Sequence, residues 1–106
     1  MFDTIVLVEE RVQAGTLIDG PTNIPIQMMS LTDRDGRITP QWFRLETENH
    51  EILMCRIEQV VSRGEKKYVG VREKQFVCKI RMGEICKTLE MRYSVESQKW
   101  RIFQFL

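Results

Sequence analysis

The sequence predicts an all-β fold, a small antiparallel barrel or a strongly curved sheet of six to eight short strands that ends in a three-strand meander. Two observations carry this prediction. Val, Ile and Thr supply 26 of the 106 residues, whereas Ala and Leu together supply eight. β-Branched side chains pack well on a pleated sheet and lose rotamer freedom in a helix. In the last third of the chain, apolar and polar residues also alternate with the two-residue period of a half-buried strand.

Three alternating runs joined by short turns form the predicted meander. A two-residue turn at Gly83 and Glu84 fits type II′, in which glycine takes the first position. This turn fixes a register that we expect to be Met82 facing Ile85, Ile80 facing Lys87, Cys78 facing Leu89, and Phe76 facing Met91. The opposite face, which pairs Lys79 with Thr88 and Val77 with Glu90, is mixed and suits water.

Further strands are predicted at residues 24–31, 38–46 and 51–61. Turns are expected at 32–37, where Asp33 and Gly36 favour a reversal, and at 48–50. Residues 63–66 begin a looser connection to a short strand at 67–71. The N-terminal 23 residues carry weaker signals: strands at 4–9 and 16–18, or a short helix over 8–14, within a less regular extension of one 1–106 domain.

Composition indicates a globular protein of a reducing compartment. The longest apolar run, residues 4–8, is far shorter than the roughly 20 residues that span a bilayer. No basic, signal-like flank precedes it, so the expected location is the cytoplasm. The cysteines, Cys55, Cys78 and Cys86, contain no CxxC pair and are expected to be reduced thiols on or beside strands. We expect neither a metal nor a cofactor.

Positive charge is concentrated in residues 63–81, which hold seven basic and two acidic residues, whereas residues 1–62 hold five basic and ten acidic ones. Small β-barrels bind single strands through a basic groove with aromatic platforms. The alternating pattern also fits an ordinary strand with its cations in water, and binding of nucleic acid is expected to be weak. The candidate nucleic-acid-binding residues are Arg63, Lys66, Lys67, Tyr68, Arg72 and Lys74.

The C-terminal strand carries aromatic residues on both faces. Trp100 and Ile102 fall on one face, and Phe103 and Phe105 on the other. We expect Phe103 and Phe105 to be covered, either by the N-terminal segment or by a second subunit, because exposed aromatics at a chain end promote aggregation. They are the candidate interface residues.

Catalytic patterns are absent from the sequence. His50, the only histidine, is predicted at a turn, five residues from Cys55, and spacing does not require the two to meet. Asp33 to Gly36 resembles the start of a calcium loop, but the twelfth position is Arg44 instead of the required glutamate. The carboxylates of Glu9, Glu10, Glu46, Glu48 and Glu51 lie near predicted turns or strand ends, where solvated surface is the usual fate.

A resemblance to other proteins rests on residues 38–44 (ITPQWFR) and on two segments near the end of the chain, Met91-Arg92-Tyr93 and Lys99-Trp100-Arg101-Ile102. Together they resemble a loose group of short, uncharacterised all-β bacterial proteins of Gram-positive anaerobes, over about residues 25–104. The motifs are structural, and the group has no assigned activity, so the resemblance implies no functional residues.

These observations predict a non-enzymatic binding or assembly module. The expected partner is a protein, either another copy in a homodimer or a different chain, and no membrane is expected. The alternative function is a small β-barrel that binds single-stranded nucleic acid through residues 63–81.

Overall fold

The computed structural model describes residues 23–106, which form a closed antiparallel β-barrel. Its strands, in chain order and in order around the barrel, are β1 (Ile24–Thr32), β2 (Ile38–Glu46), β3 (Ile52–Tyr68), β4 (Val71–Met82), β5 (Ile85–Ser94) and β6 (Lys99–Phe105). The all-β prediction is therefore confirmed, with six strands in the described part. The strands and helix predicted before residue 23 lie outside the described residues. Within residues 23–106, no helix has the length and apolar character needed to cross a membrane.

Inward-facing side chains of all six strands fill the barrel. Phe76, Trp100 and Tyr93 form a chain of ring contacts, with centroids 5.3 Å apart for Phe76 and Trp100 and 5.0 Å for Tyr93 and Trp100. The buried core comprises Ile24, Phe43, Leu45, Leu53, Cys55, Phe76, Cys78, Ile80, Met82, Leu89, Met91, Trp100 and Ile102. These are the inward positions of period-two strands, as the alternation predicts.

The β4–β5 hairpin has the predicted register: Met82 pairs with Ile85, Ile80 with Lys87, Cys78 with Leu89, and Phe76 with Met91. Gly83 has a φ of 61° and Glu84 does not share a positive φ, which fits a type II′ turn. The predicted turn at 32–37 is also present. The Asp33 side chain accepts hydrogen bonds from the backbone N–H groups of Asp35 and Arg37, each at 2.9 Å.

One predicted connection is wrong. Residues 63–66 do not begin a loose segment, because β3 continues without a break to Tyr68 and turns directly into β4. Two irregularities, between Ile57 and Gln59 and between Val60 and Ser62, disturb the pairing. An extra residue in a bulge reverses the inward–outward alternation, so the pattern expected of a strand is lost although the strand continues.

Strands β2 and β3 separate at one end of the barrel. This end carries the turns at 33–37, 69–70 and 95–98, and we call it the cleft end. The β2–β3 ladder stops there at Trp42 and Arg56, and beyond that point β3 is paired with β4 alone. The β1–β6 ladder is short and runs from Ile24–Ile102 to Ile26–Trp100. The β3–β4 hairpin therefore projects beyond the closed part of the barrel.

Candidate functional site

A cleft of about 250 Å³ opens at the cleft end, where β3 leaves β2. We call it the cationic cleft. The start of β2 forms one side, and the β3–β4 hairpin forms the other. It is lined by Arg37, Ile38, Arg63, Gly64, Glu65, Lys74 and Phe76.

Arg63 spans this gap. Its guanidinium donates to the Ile38 carbonyl at 2.7 Å and to the Thr39 hydroxyl at 2.8 Å, where the backbone ladder between the strands is missing. It also lies over the ring of Phe76, with its central carbon 5.3 Å from the centroid. The two bulges in β3 place Arg63 opposite Phe76, on the core-facing side of the hairpin. Arg63 therefore closes the core where β2 and β3 have separated.

The cleft is electrically positive. Arg37, Arg63 and Lys74 contribute three cations, and Glu65 contributes one carboxylate. Within the described residues, neither the Arg37 guanidinium nor the Lys74 ammonium has a hydrogen bond or an ion pair. Desolvation and then the positive charge of Arg37 lower the pKa of Arg63 below its ordinary value. Arg37 and Arg63 thus oppose one another, while the Asp33 carboxylate acts on the Arg63 pKa in the opposite direction and raises it.

Four of the six candidate nucleic-acid-binding residues, Lys66, Lys67, Arg72 and Lys74, line a second cavity of about 370 Å³ on the β3–β4 hairpin, together with Glu65 and Glu73. Arg63 and Lys74 line the cationic cleft. Arg72 is held by Glu96, with Nε and Oε1 3.1 Å apart. In the β3–β4 ladder Lys66 lies opposite Glu73 and Lys67 opposite Arg72, so the second cavity holds two carboxylates, Glu65 and Glu73, beside its cations. The tyrosine among them, Tyr68, donates its hydroxyl proton to the Glu73 carboxylate.

The tip of the β3–β4 hairpin is apolar and strained. Val69 and Gly70 form the turn with φ angles of 41° and 80°. A β-branched residue in the left-handed region is a genuine outlier, since its side chain crowds the backbone there. The Val69 side chain is nevertheless fully exposed, and its neighbours Tyr68 and Val71 are 45% and 43% exposed.

Charged side chains are buried on the outer face of β4, β5 and β6, which corrects one expectation. The face that contains Glu90 was expected to suit water, yet Glu90 and Arg92 are only 5% and 6% exposed. Arg92 donates to Glu90 at 2.6 Å and to Glu73 at 3.3 Å, and it lies 3.7 Å above the ring of Phe103. The charges are buried because they are paired with one another and covered by an aromatic ring.

Phe103 and Phe105 differ in position. A register shift between Glu90 and Met91 leaves Phe103 without a partner in the ladder, beneath Arg92 on the outer face. Phe105 pairs with Leu89 and packs against the core. The expectation that both lie on one face is wrong, because the bulge reverses the alternation between them. Both are partly buried within the described chain.

The cysteines and the histidine lie apart. Cys55 and Cys78 are buried in the core, and burial raises the pKa of each thiol to about 12. His50 lies at the exposed β2–β3 turn, where its Nδ1 is 3.0 Å from a Glu46 carboxylate oxygen. All three cysteines are free and lie on strands, as predicted. Residues 23–106 contain no group of three or more His, Cys, Asp or Glu side chains placed to hold a metal ion.

Comparison with protein-family models, with curated proteins and with solved structures finds no match to this chain.

The density of positive charge in residues 63–81 pointed to Arg63 and Lys74, two of the three cations of the cleft, but it did not point to Arg37. Arg37 lies at the end of a turn 26 positions before Arg63, and the two meet because Arg63 reaches across to the start of β2. The paired buried charges were also missed. The close sequence spacing of Glu90 and Arg92 on one face of a strand is the signal that could have indicated a pair.

Proposed function

We propose that this protein is a non-enzymatic binding module that holds a partner protein through the tip of its β3–β4 hairpin. The observation that carries the proposal is Val69, which is apolar, fully exposed and in a backbone conformation that valine disfavours. Strain of this kind persists where the surrounding structure imposes it, and it clusters at functional sites. Asn or Gly would relieve it, so folding alone does not account for a valine at this position.

The chemistry of the tip specifies the kind of partner. Tyr68, Val69 and Val71 offer an apolar projection, and Lys66 and Lys67 add positive charge beside it. An apolar pocket with a carboxylate rim is complementary to such a tip. Tyrosine is enriched among residues that dominate binding energy, and the hydroxyl of Tyr68 is anchored by Glu73, which keeps the ring in place.

Substitution at the tip tests the proposal. Val69→Asn removes the apolar side chain and introduces a residue that tolerates positive φ. Val61→Asn is the matched control, because Val61 is an exposed valine (48%) within β3, the strand that leads into the turn, and lies away from the tip. We expect affinity capture from the source cells to recover a partner with the wild type and the control. With Val69→Asn, affinity for that partner, reconstituted from purified components, should fall about tenfold or more.

The partner is either another chain or a second copy. Light scattering on the purified protein over a range of concentrations distinguishes the two, since a self-associating tip doubles the mass and Val69→Asn restores the monomer. Equal affinity of the Val69→Asn and Val61→Asn variants for the partner would contradict the proposal. So would the absence of both a stoichiometric partner and self-association.

A second candidate function is single-stranded nucleic-acid binding along the hairpin, which the half-exposed ring of Tyr68 beside Lys66 and Lys67 favours. Salt-sensitive binding of an oligothymidylate, weakened by Lys66→Gln and Lys67→Gln together, would support it. Binding that is absent at moderate ionic strength, or that is unchanged in this variant, would exclude it.

A further inference from the structure

We propose that the cationic cleft binds the phosphate group of a phosphate monoester. The cleft is separate from the hairpin tip and does not depend on the function proposed above. Its lining carries three cations and one carboxylate, Glu65, a formal charge of +2. A phosphate monoester carries a charge of about −1.5 to −2 at neutral pH, so the two match in sign and size.

The donors are arranged for an oxyanion. Arg63 is fixed by its bonds to the Ile38 carbonyl and the Thr39 hydroxyl, so it supplies a charge that does not need to be ordered on binding. Arg37 and Lys74 flank it, and within the described residues no hydrogen bond or ion pair occupies their side chains. They are therefore the groups that would bond the phosphate oxygens directly.

The backbone adds donors to the same space. Beyond Arg56, β3 is paired with β4 alone, so the N–H groups on its other edge point toward the gap beside β2. Gly64 lines the cleft but turns its N–H and C=O toward Gln75 of β4, so the N–H groups on the free edge are those of its neighbours Arg63 and Glu65. Phosphate groups are commonly bound by backbone N–H groups together with cationic side chains.

The same geometry disfavours recognition of a nucleic-acid base. The Phe76 ring is 2% exposed beneath Arg63, and Trp100 is 8% exposed in the core. Stacking of bases requires an accessible aromatic face. The cleft therefore offers charge and hydrogen bonds but no ring, which suits a phosphate group and not the base attached to it.

Titrations of the whole protein test the site. Inorganic phosphate is added at constant ionic strength while backbone amide signals are followed by NMR, with sodium chloride as the reference salt. We expect saturable shifts at residues 37–38, 63–65 and 74. Chloride should not reproduce them. A small phosphate monoester, O-phosphoserine, and a phosphoserine peptide then distinguish a free metabolite from a phosphorylated protein segment as the source of the group.

Two double variants give the matched comparison. Arg37→Gln with Lys74→Gln should weaken phosphate binding about tenfold or more, because two charge-assisted hydrogen bonds are lost. Arg34→Gln with Lys79→Gln removes one cation from the same turn and one from the same strand, both exposed and outside the cleft lining, and should change affinity less than twofold. The amide spectrum of each variant reports its folding, and the single variants replace the double one if it does not fold.

Equal weakening in both double variants would overturn the proposal, because it would show that only overall charge matters. The same holds if phosphate causes no saturable shift at 20 mM or if chloride reproduces the shifts. An oligothymidylate that binds the cleft more tightly than O-phosphoserine, with loss in the Arg37 and Lys74 variant, would overturn the assignment to a phosphate monoester.

Discussion

Arg101 and Glu73 form a two-point ion pair across the outer face of the barrel, although β5 lies between their strands. Nη1 of Arg101 donates to one carboxylate oxygen and Nη2 to the other, the second at 3.1 Å. Nε of Arg101 also donates to Asn23 at 2.7 Å, so the pair reaches the start of β1. The bond from Arg101 is the largest cause that lowers the pKa of Glu73 to about 2, and a bond from Tyr68 assists it against the opposing effect of burial.

This ion pair predicts a specific loss of stability in acid. The folded-state pKa of Glu73 is below its ordinary value of 4.5, so the folded protein favours the ionised carboxylate. The stabilisation is complete above about pH 4.5 and disappears as the pH falls through about 2, amounting to about 3 kcal/mol. Urea unfolding between pH 7 and pH 2 should show this decline in the wild type and a flatter profile in Glu73→Gln. An exposed control, Glu84→Gln, should retain the wild-type profile.

Removal of Arg92 should destabilise the fold strongly. Arg92→Met leaves the buried Glu90 without its cationic partner, with only the Gln104 amide still donating to it, and weakens the set of bonds around Glu73. Breaking a buried pair by removing one member costs about 3–5 kcal/mol. We expect Arg92→Met combined with Glu90→Met to recover part of that loss, as measured by urea unfolding. A loss below 1 kcal/mol for the single variant would show that these charges contribute little.

The turn between β4 and β5 should not tolerate a β-branched residue. Gly83 has a φ of 61°, and a Cβ atom placed there would meet no other atom within 4 Å. The cost of Gly83→Val therefore comes from backbone strain alone and should be about 1–3 kcal/mol. Gly83→Asn, which tolerates positive φ better, should cost less. Thermal or urea unfolding of the two variants checks the order, and equal costs would contradict this explanation.

At the β3–β4 tip the opposite change should stabilise the protein. Val69→Asn places a residue that tolerates the left-handed region at a φ of 41° and should raise stability by roughly 0.5–1 kcal/mol. Val61→Asn lacks this backbone gain and serves as the control. Equilibrium unfolding would measure the difference. A stability equal to or below that of the wild type would show that Val69 is not strained.

The three thiols should differ in reactivity. Cys55 and Cys78 are fully buried with pKa values raised to about 12, whereas Cys86 is exposed on β5. At pH 8 the buried thiols are protonated and shielded, so a thiolate-specific reagent should label one site per chain. In denaturant all three thiols should react with the reagent, and Cys86→Ser should abolish the rapid reaction of the native protein. Rapid labelling of two or more sites in the native protein would contradict the buried positions.

The β4–β5 hairpin could be predicted in full because one glycine and a run of alternating side chains set the same register. The β3 strand could not, since its bulges at Ile57–Gln59 and Val60–Ser62 interrupt the two-residue period. The charged residues that follow the bulges were interpreted as a loop, although their backbone is paired with β4. Bulges depend on how neighbouring strands curve, and local sequence does not carry that information.

The candidate sites also depend on contacts between strands that local sequence does not reveal. Arg63 and Lys74 were identified from the density of positive charge, but Arg37 joins them only through the separation of β2 from β3. The alternation of apolar and polar residues correctly predicted that Glu90 lies on the outer face of the barrel. The further expectation that its side chain is exposed to solvent is wrong. An outward residue is buried when partners on adjacent strands pair with it, and alternation contains no information about those partners.

The short ladder that closes the barrel has a mechanical consequence. Asn23 donates its backbone N–H to the Phe103 carbonyl at 3.4 Å, so the described chain enters and leaves the barrel side by side, at the end opposite the cleft. In an antiparallel pair the hydrogen bonds run perpendicular to the strands. Tension applied to Asn23 and Leu106 therefore loads the bonds one after another and peels β1 from β6, starting at the Asn23–Phe103 bond and continuing at Ile24 and Ile102. Pulled from these points, the barrel unzips at low force instead of shearing.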